Sequence, residues 1–198
     1  MAMITYELGN NLYINLTNRC TNKCSFCVKE YSDGIGGQNL WIESEPTAEE
    51  IIKEIGDPSR YKEVVFCGFG EPVLRLEQIL EVSRHLKKNY RSRIRINTNG
   101  QGNLVYGRNI VPLFEGLIDV ISVSLNAKNA EDYQRLCKSS YGEEAFYGVI
   151  EFIKECKQYI PEVVVTVVDV IPPEDIEMCR TIAGELGVGF KVRHFYNV

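Results

Sequence analysis

Leu12-Tyr13-Ile14-Asn15-Leu16-Thr17-Asn18-Arg19-Cys20-Thr21-Asn22-Lys23-Cys24-Ser25-Phe26-Cys27 joins an apolar run to three closely spaced thiols. Tyr13 to Thr17 reads as a strand feeding a tight loop, on which the cysteines fall at the spacing C-x3-C-x2-C. A structural zinc site closes with four ligands, and a cubane iron–sulfur cluster takes four cysteines. Three thiolates with no fourth ligand beside them leave one coordination position open, which points to catalysis rather than scaffolding. Zinc is the alternative, but no second Cys or His pair lies at finger or ribbon spacing.

Outward from this loop, strand and helix signals alternate. Val28 to Ile42, with Gly34, Gly36 and Gly37, reads as a loop anchored at its far end by Trp41. Thr47 is placed to N-cap a helix with Glu50 at the capping-box position, and Ile51, Ile52 and Ile55 form its buried face. Glu63 to Cys67 is a strand ending in Gly68-Phe69-Gly70-Glu71-Pro72, and Leu76 to Leu86 recurs at helical spacing. Further strands are expected at Arg93–Asn97, Ile118–Leu125, Glu162–Val170 and Phe190–Phe195. Between them lie a short helix before Gly116, a helical region from Ala130 to Tyr159 broken near Gly142, and a helix from Pro172-Pro173 to Gly187. Glu162–Val170 is continuously apolar, as a parallel strand covered on both faces would be. The basic run between Lys87 and Arg95 reads as a solvated helix end and loop.

Such alternation with short connections implies right-handed crossovers and a parallel sheet. Six strands are too few for a closed eight-stranded barrel. The expectation is one α/β domain over residues 1–198, a partial (βα)6-type open TIM barrel with parallel strands. Its site would lie where strands end, and the polar residues collect there: Asn97-Thr98-Asn99-Gly100, the alternation Ser122, Ser124, Asn126, then Asp169, Arg193, His194 and Tyr196.

The cysteine spacing, with the aromatic Phe26 before the third cysteine, resembles the signature of the radical S-adenosylmethionine (radical SAM) enzymes. Gly68-Phe69-Gly70-Glu71-Pro72 resembles that family's Gly-Gly-Glu-Pro motif, with Phe69 in the first glycine position. The resemblance implies that Cys20, Cys24 and Cys27 ligate one [4Fe–4S] cluster, whose open iron is chelated by S-adenosyl-L-methionine. It implies cofactor contacts from Phe26, Gly68, Phe69, Gly70 and Glu71, with Glu71 orienting the methionine ammonium. Asn97, Ser124 and Asn126 would approach the ribose and methionine portions. Asn99, Asp169, Arg193 and Tyr196 are the candidate substrate contacts, and no side chain is required as general base. An electron would come from a flavodoxin or ferredoxin. The substrate would be a small, nucleotide-like molecule, or a partner protein as for the compact glycyl-radical activases. Thr5 to Cys20 and the short length look like the TatD-associated radical SAM proteins.

The totals agree with an ordinary globular chain: 198 residues, 44% hydrophobic and 25% charged. A net charge of −5 argues against a surface that wraps nucleic acid. Seven cysteines without a signal peptide suggest a reducing cytoplasm, and no run is long enough to span a bilayer. Cys137, Cys156 and Cys179 fall singly on expected helices and read as buried thiols, as Cys67 can on its strand.

Overall fold

The computed structural model describes residues 3–35 and 38–195. The chain opens with a hairpin of β1 (Thr5–Leu8) and β2 (Asn11–Ile14), turned through Gly9 at a φ of 59° that favours glycine. A 3-10 turn at Val28–Glu30 and a small hairpin, β3 (Gly34–Ile35) and β4 (Gln38–Asn39), lead to α1 (Ala48–Ile55). Then follow β5 (Glu63–Phe66), a 3-10 turn at Pro72–Arg75, α2 (Leu76–Asn89), β6 (Ile94–Thr98) and α3 (Gly102–Tyr106). The last third holds β7 (Val120–Ser124), α4 (Ala130–Cys137), α5 (Glu144–Tyr159), β8 (Glu162–Val168), α6 (Pro173–Leu186) and β9 (Gly189–Arg193).

Seven strands form one sheet in the order β1-β2-β5-β6-β7-β8-β9. The six from β2 to β9 run parallel, and β1 pairs antiparallel at the edge. This is the expected α/β partial barrel with an added edge strand. Local chemistry sets the helix ends. Thr47 Oγ1 accepts from Glu50 N while Glu50 Oε2 accepts from Thr47 N, the capping box. α4 stops at Lys138, left-handed at φ 46°, and α6 stops at Gly187, φ 66°.

Strand residues alternate between two faces. Ile14, Phe66, Ile96, Ile121, Val123, Val165 and Val167 join the helices in the main core. The opposite, concave face carries Tyr13, Val65, Arg95, Asn97, Ser122, Ser124, Thr166 and Lys191, set in rows by the register. One row runs Asn97, Ser122, Val164, and the next runs Ser124, Thr166, Lys191. Below them, Arg93 bridges Glu63 and Glu162, and Arg95 meets Glu63 at 3.3 Å. Lys88, Arg91 and Arg93 are exposed on the helix end and loop, as expected, while Arg95 alone of the run enters the sheet and Lys87 pairs with Asp119. Strand alternation turned Arg95 inward, whereas Arg93, one residue before β6, keeps 44% of its side chain exposed.

Two further features differ from the sequence reading. The lead before the cysteines is a hairpin, and its second strand ends at Ile14 rather than Thr17, beyond which side-chain bonds take over. The glycine loop contains β3 and β4, which cover the concave face beside β1. Leu40 and Phe69 pack there with Tyr6 in a second hydrophobic cluster. Among the described residues no helix is long and apolar enough to cross a membrane.

Candidate active site

The approach to the cysteines is held from several sides. Asn18 Nδ2 donates to Ile42 O at 2.7 Å, and Lys29 Nζ donates to Asn18 O at 3.0 Å. Arg75 donates to Leu16 O and Pro46 O at 3.2 and 2.8 Å. Glu45 receives Arg19 through both oxygens, at 2.6 and 2.9 Å, and also accepts from Thr17. The Arg19 hydrogen bond is the main reason its carboxyl is held below the usual range.

Beneath the cysteines lies the end of α4. Lys23 N donates to Cys137 O at 2.9 Å and Ser25 N to Leu136 O at 3.0 Å, so the loop satisfies carbonyls that a helix end leaves open. Ser140 N closes the other side on Thr21 O at 2.9 Å. A buried polar cluster backs this contact. Gln101 Nε2 donates to Asn22 Oδ1 at 2.7 Å and to the Tyr133 hydroxyl at 3.0 Å, and Ser139 donates to Gln101 Oε1 at 3.1 Å. Gln101, Tyr133 and Ser139 do not stand out in the sequence. Gln101 extends the polar run past β6 and offers a signal, whereas Tyr133 looks like any apolar helix position.

The Gly68–Pro72 turn packs on the same loop. A Cβ at Gly70 would lie 2.3 Å from Thr17 O and 2.4 Å from Arg19 O, and one at Gly68 would lie 2.0 Å from Asn15 Oδ1. These glycines admit the backbone and side chains of the cysteine approach. Glu71 is 4% exposed. Its Oε1 accepts from Thr98 Oγ1 at 2.6 Å and Val73 N at 3.1 Å, and its Oε2 accepts from Asn99 N at 2.7 Å. Burial pushes its carboxyl up to about 7, against the pull of these three donors.

Burial pushes the Cys20 thiol up to about 12, with Glu71 adding to the effect, and raises Cys27 as well. Cys24 is lowered by the thiol of Cys137, which the same contact and burial push far up. Cys20 is exposed to solvent, and Cys24 and Cys27 are half-buried. Asn99 Nδ2 lies 3.8 Å from Cys20 Sγ, a weak N–H donor to the sulfur, and donates to Thr21 Oγ1 at 2.8 Å. Among the described residues no three Cys, His, Asp or Glu side chains close around one point as ligands of a single ion do. A cubane cluster instead holds its thiolates at separate corners. Three thiols on a braced loop, with an N–H donor beside one of them, are a donor set that suits an iron–sulfur cluster.

The other expected site residues divide into two groups. Asn97 and Ser124 lie on the concave face, where Asn97 Oδ1 is buried without a partner among the described residues and Ser124 Oγ accepts from Arg193 at 3.2 Å. The rest are occupied within the protein. Phe26 packs on the main core, and Phe69 lies in the second cluster with its ring 5.1 Å from that of Trp41. Asn126 sits past β7 at φ 57°, and its Oδ1 accepts from Val168 N. Asn99 serves the cysteine loop. Asp169 pairs with His194 at 2.7 Å and accepts from Phe195 N at 2.6 Å, tying down the end of β9. Of the four thiols outside the motif, Cys137, Cys156 and Cys179 are buried on helices as expected. Tyr196 lies outside the described residues.

The Radical SAM superfamily model matches residues 14–186, which includes the cysteines, the Glu71 turn and every parallel strand but β9 in whole or part. A probable GTP 3′,8-cyclase of Thermococcus kodakarensis is 32% identical over 155 residues, covering 77% of this chain and 45% of the relative. A probable dual-specificity RNA methyltransferase RlmN of Trichodesmium erythraeum is 28% identical over 146 residues, covering 71% of this chain and 39% of the relative. The chain thus spans less than half the length of these curated relatives. Among solved structures, SuiB of Streptococcus suis aligns with a TM-score of 0.68 at 18% identity, over 96% of this chain and 40% of that one. That likeness speaks for the fold alone. With the cysteine spacing, the buried glutamate turn and the open parallel barrel in one chain, and a family match across most of its length, this protein belongs to the Radical SAM superfamily.

Proposed function

We propose that the chain binds a [4Fe–4S] cluster through Cys20, Cys24 and Cys27 and S-adenosylmethionine at the iron they leave open. When bound, these cofactors supply reductive cleavage of S-adenosylmethionine to methionine and a 5′-deoxyadenosyl radical, which takes a hydrogen atom from the substrate. The observation that carries this reading is the braced three-thiol loop at the rim of a concave face with two polar atoms, Asn97 Oδ1 and Thr166 Oγ1, unpartnered among the described residues. The family match supports it, as does the fold likeness to SuiB bound to S-adenosylmethionine, TM-score 0.64.

The protein's own part is placement. Glu71 and Arg75 hold the cysteine approach, and the N–H of Asn99 beside Cys20 favours the thiolate. The β3–β4 hairpin with Leu40 and Phe69 covers part of the concave face and keeps water from it. Asn97, Ser122 and Ser124 present amide and hydroxyl groups to what binds inside. The electron donor would be a flavodoxin or ferredoxin, and the substrate a small molecule on the concave face. The names of the relatives, a GTP cyclase and an RNA methyltransferase, favour a nucleotide-like one. The TatD-associated assignment rests on the Thr5–Cys20 opening.

Anaerobic reconstitution with iron and sulfide, then dithionite and S-adenosylmethionine, tests the reading. Brown protein with about four irons per chain and released 5′-deoxyadenosine is the expected result. The Cys20, Cys24, Cys27 triple alanine variant should hold no cluster. Retention of iron and cleavage by that variant would overturn the assignment.

A further inference from the structure

The concave face carries two cations, Lys191 and Arg193, outside the hydrogen bonds that hold the cysteine loop and the glutamate turn, although Arg193 lies near enough to the Cys24 and Cys67 thiols for its charge to favour their thiolates. Phe190 and Val192 of β9 pack on the main core, so Lys191 and Arg193 between and beyond them turn to the opposite face. Arg193 donates to Ser124 Oγ at 3.2 Å, which fixes that direction. The register sets Ser124, Thr166 and Lys191 side by side across three strands, with neighbours roughly 5 Å apart. Thr166 is 2% exposed, and its Oγ1 is buried with no partner among the described residues. The carboxylates on the same sheet are already engaged, Glu63 and Glu162 with Arg93 and Asp169 with His194. Neither Lys191 nor Arg193 has a carboxylate partner among the described residues. An edge lysine can simply guard a strand against pairing, but that role leaves an orphaned hydroxyl beside it unexplained.

We propose that Lys191 and Arg193, with the hydroxyls of Ser124 and Thr166, form an oxyanion subsite that binds a phosphate or carboxylate group of the substrate. In a chain of net charge −5, two cations two residues apart on one strand, without a carboxylate partner among the described residues, repel each other, and an anion between them removes that penalty. The hydroxyls complete its shell, since a phosphate or carboxylate offers more acceptor positions than two cations fill. The inference rests on the concave face being the substrate side, as proposed above.

The test uses the full chain without cluster, titrated calorimetrically with inorganic pyrophosphate and separately with succinate at about 0.15 M salt. Binding of pyrophosphate alone assigns a phosphate, of succinate alone a carboxylate, and of both a general oxyanion subsite. Lys191→Ala with Arg193→Ala should weaken binding about tenfold or more. The near-isosteric Thr166→Val should weaken it while leaving the circular dichroism melt in place. Lys62→Ala, outside the subsite, should change nothing. No binding of either probe, or binding untouched by these substitutions, overturns the subsite. So does a double variant that loses S-adenosylmethionine affinity after reconstitution while keeping the anion. Because the titration needs no cluster, its failure is distinct from failure to build a cluster or cleave S-adenosylmethionine.

Discussion

Glu71 Oε2 accepts the backbone N–H of Asn99 at 2.7 Å, and the side chain of Asn99 reaches on to Thr21 Oγ1 at 2.8 Å and to Cys20 Sγ at 3.8 Å. One buried carboxylate thus links the glycine turn after β5, the end of β6 and the first cysteine. Both of its oxygens have partners inside the protein. Its visible work is to set the position of the cysteine loop.

Replacing Glu71 with alanine should therefore act on stability before it acts on any ligand. The change removes three hydrogen bonds and strands the buried N–H groups of Val73 and Asn99, a loss of about 3 kcal/mol. Urea unfolding of the cluster-free chain measures it. Glu71→Gln keeps an acceptor and should recover a large part. An unchanged midpoint for the alanine variant would show that the turn is held by other contacts.

The same carboxyl gives a pH dependence of definite sign. Its pKa rises from 4.5 in the unfolded chain to about 7 in the fold, with burial the largest cause. The folded state then holds the proton more tightly. Its contribution is full below about pH 4.5 and is lost as pH rises through about 7, on the order of 3 kcal/mol for such a shift. The urea midpoint of the cluster-free wild type should fall over this window relative to that of Glu71→Gln. Parallel profiles for the two proteins would contradict the assignment.

Two glycines should respond to alanine with opposite signs. At Gly70 the new Cβ meets two backbone carbonyls at 2.3 and 2.4 Å, and Glu71 N is bonded to one of them, Arg19 O, at 2.8 Å. Gly70→Ala should cost about 2 kcal/mol or more and lower the iron taken up on reconstitution. Gly184 lies within α6, and an alanine methyl there would have no neighbour within 4 Å. Gly184→Ala should stabilise by about 0.5–1 kcal/mol and leave iron uptake alone. Thermal melts and iron assays of both variants read the contrast.

Asn99→Asp keeps the acceptor that Gln101 N uses at 3.0 Å and removes the N–H beside Cys20. Loss of a donor to a cluster thiolate, with a negative charge in its place, makes reduction harder. The midpoint potential of the reconstituted chain should move to more negative values, followed by redox titration with electron paramagnetic resonance. A potential equal to that of the wild type would remove Asn99 from the role.

The features visible in the sequence are those set by neighbours along the chain. Cys20, Cys24 and Cys27 declare themselves by spacing, Thr47 and Glu50 form their capping box within one turn, and the continuous apolar run of β8 announces a strand covered on both faces. Gly187 ends α6 by its own freedom at positive φ. The parallel barrel follows from the order of such signals, because short crossovers leave few other arrangements. Tertiary structure decided the rest. Arg95 turned from a solvated run into the ion-paired end of the sheet once strand alternation placed it opposite Glu63. Glu71 became a link between loops because Thr98 and Asn99, 27 and 28 residues away, brought their donors to it. Lys191, Thr166 and Ser124 lie in one row only through the registers of β7, β8 and β9. A shift of one residue would turn each of these side chains to the other face, so local sequence determined the strands and long-range pairing determined what they present.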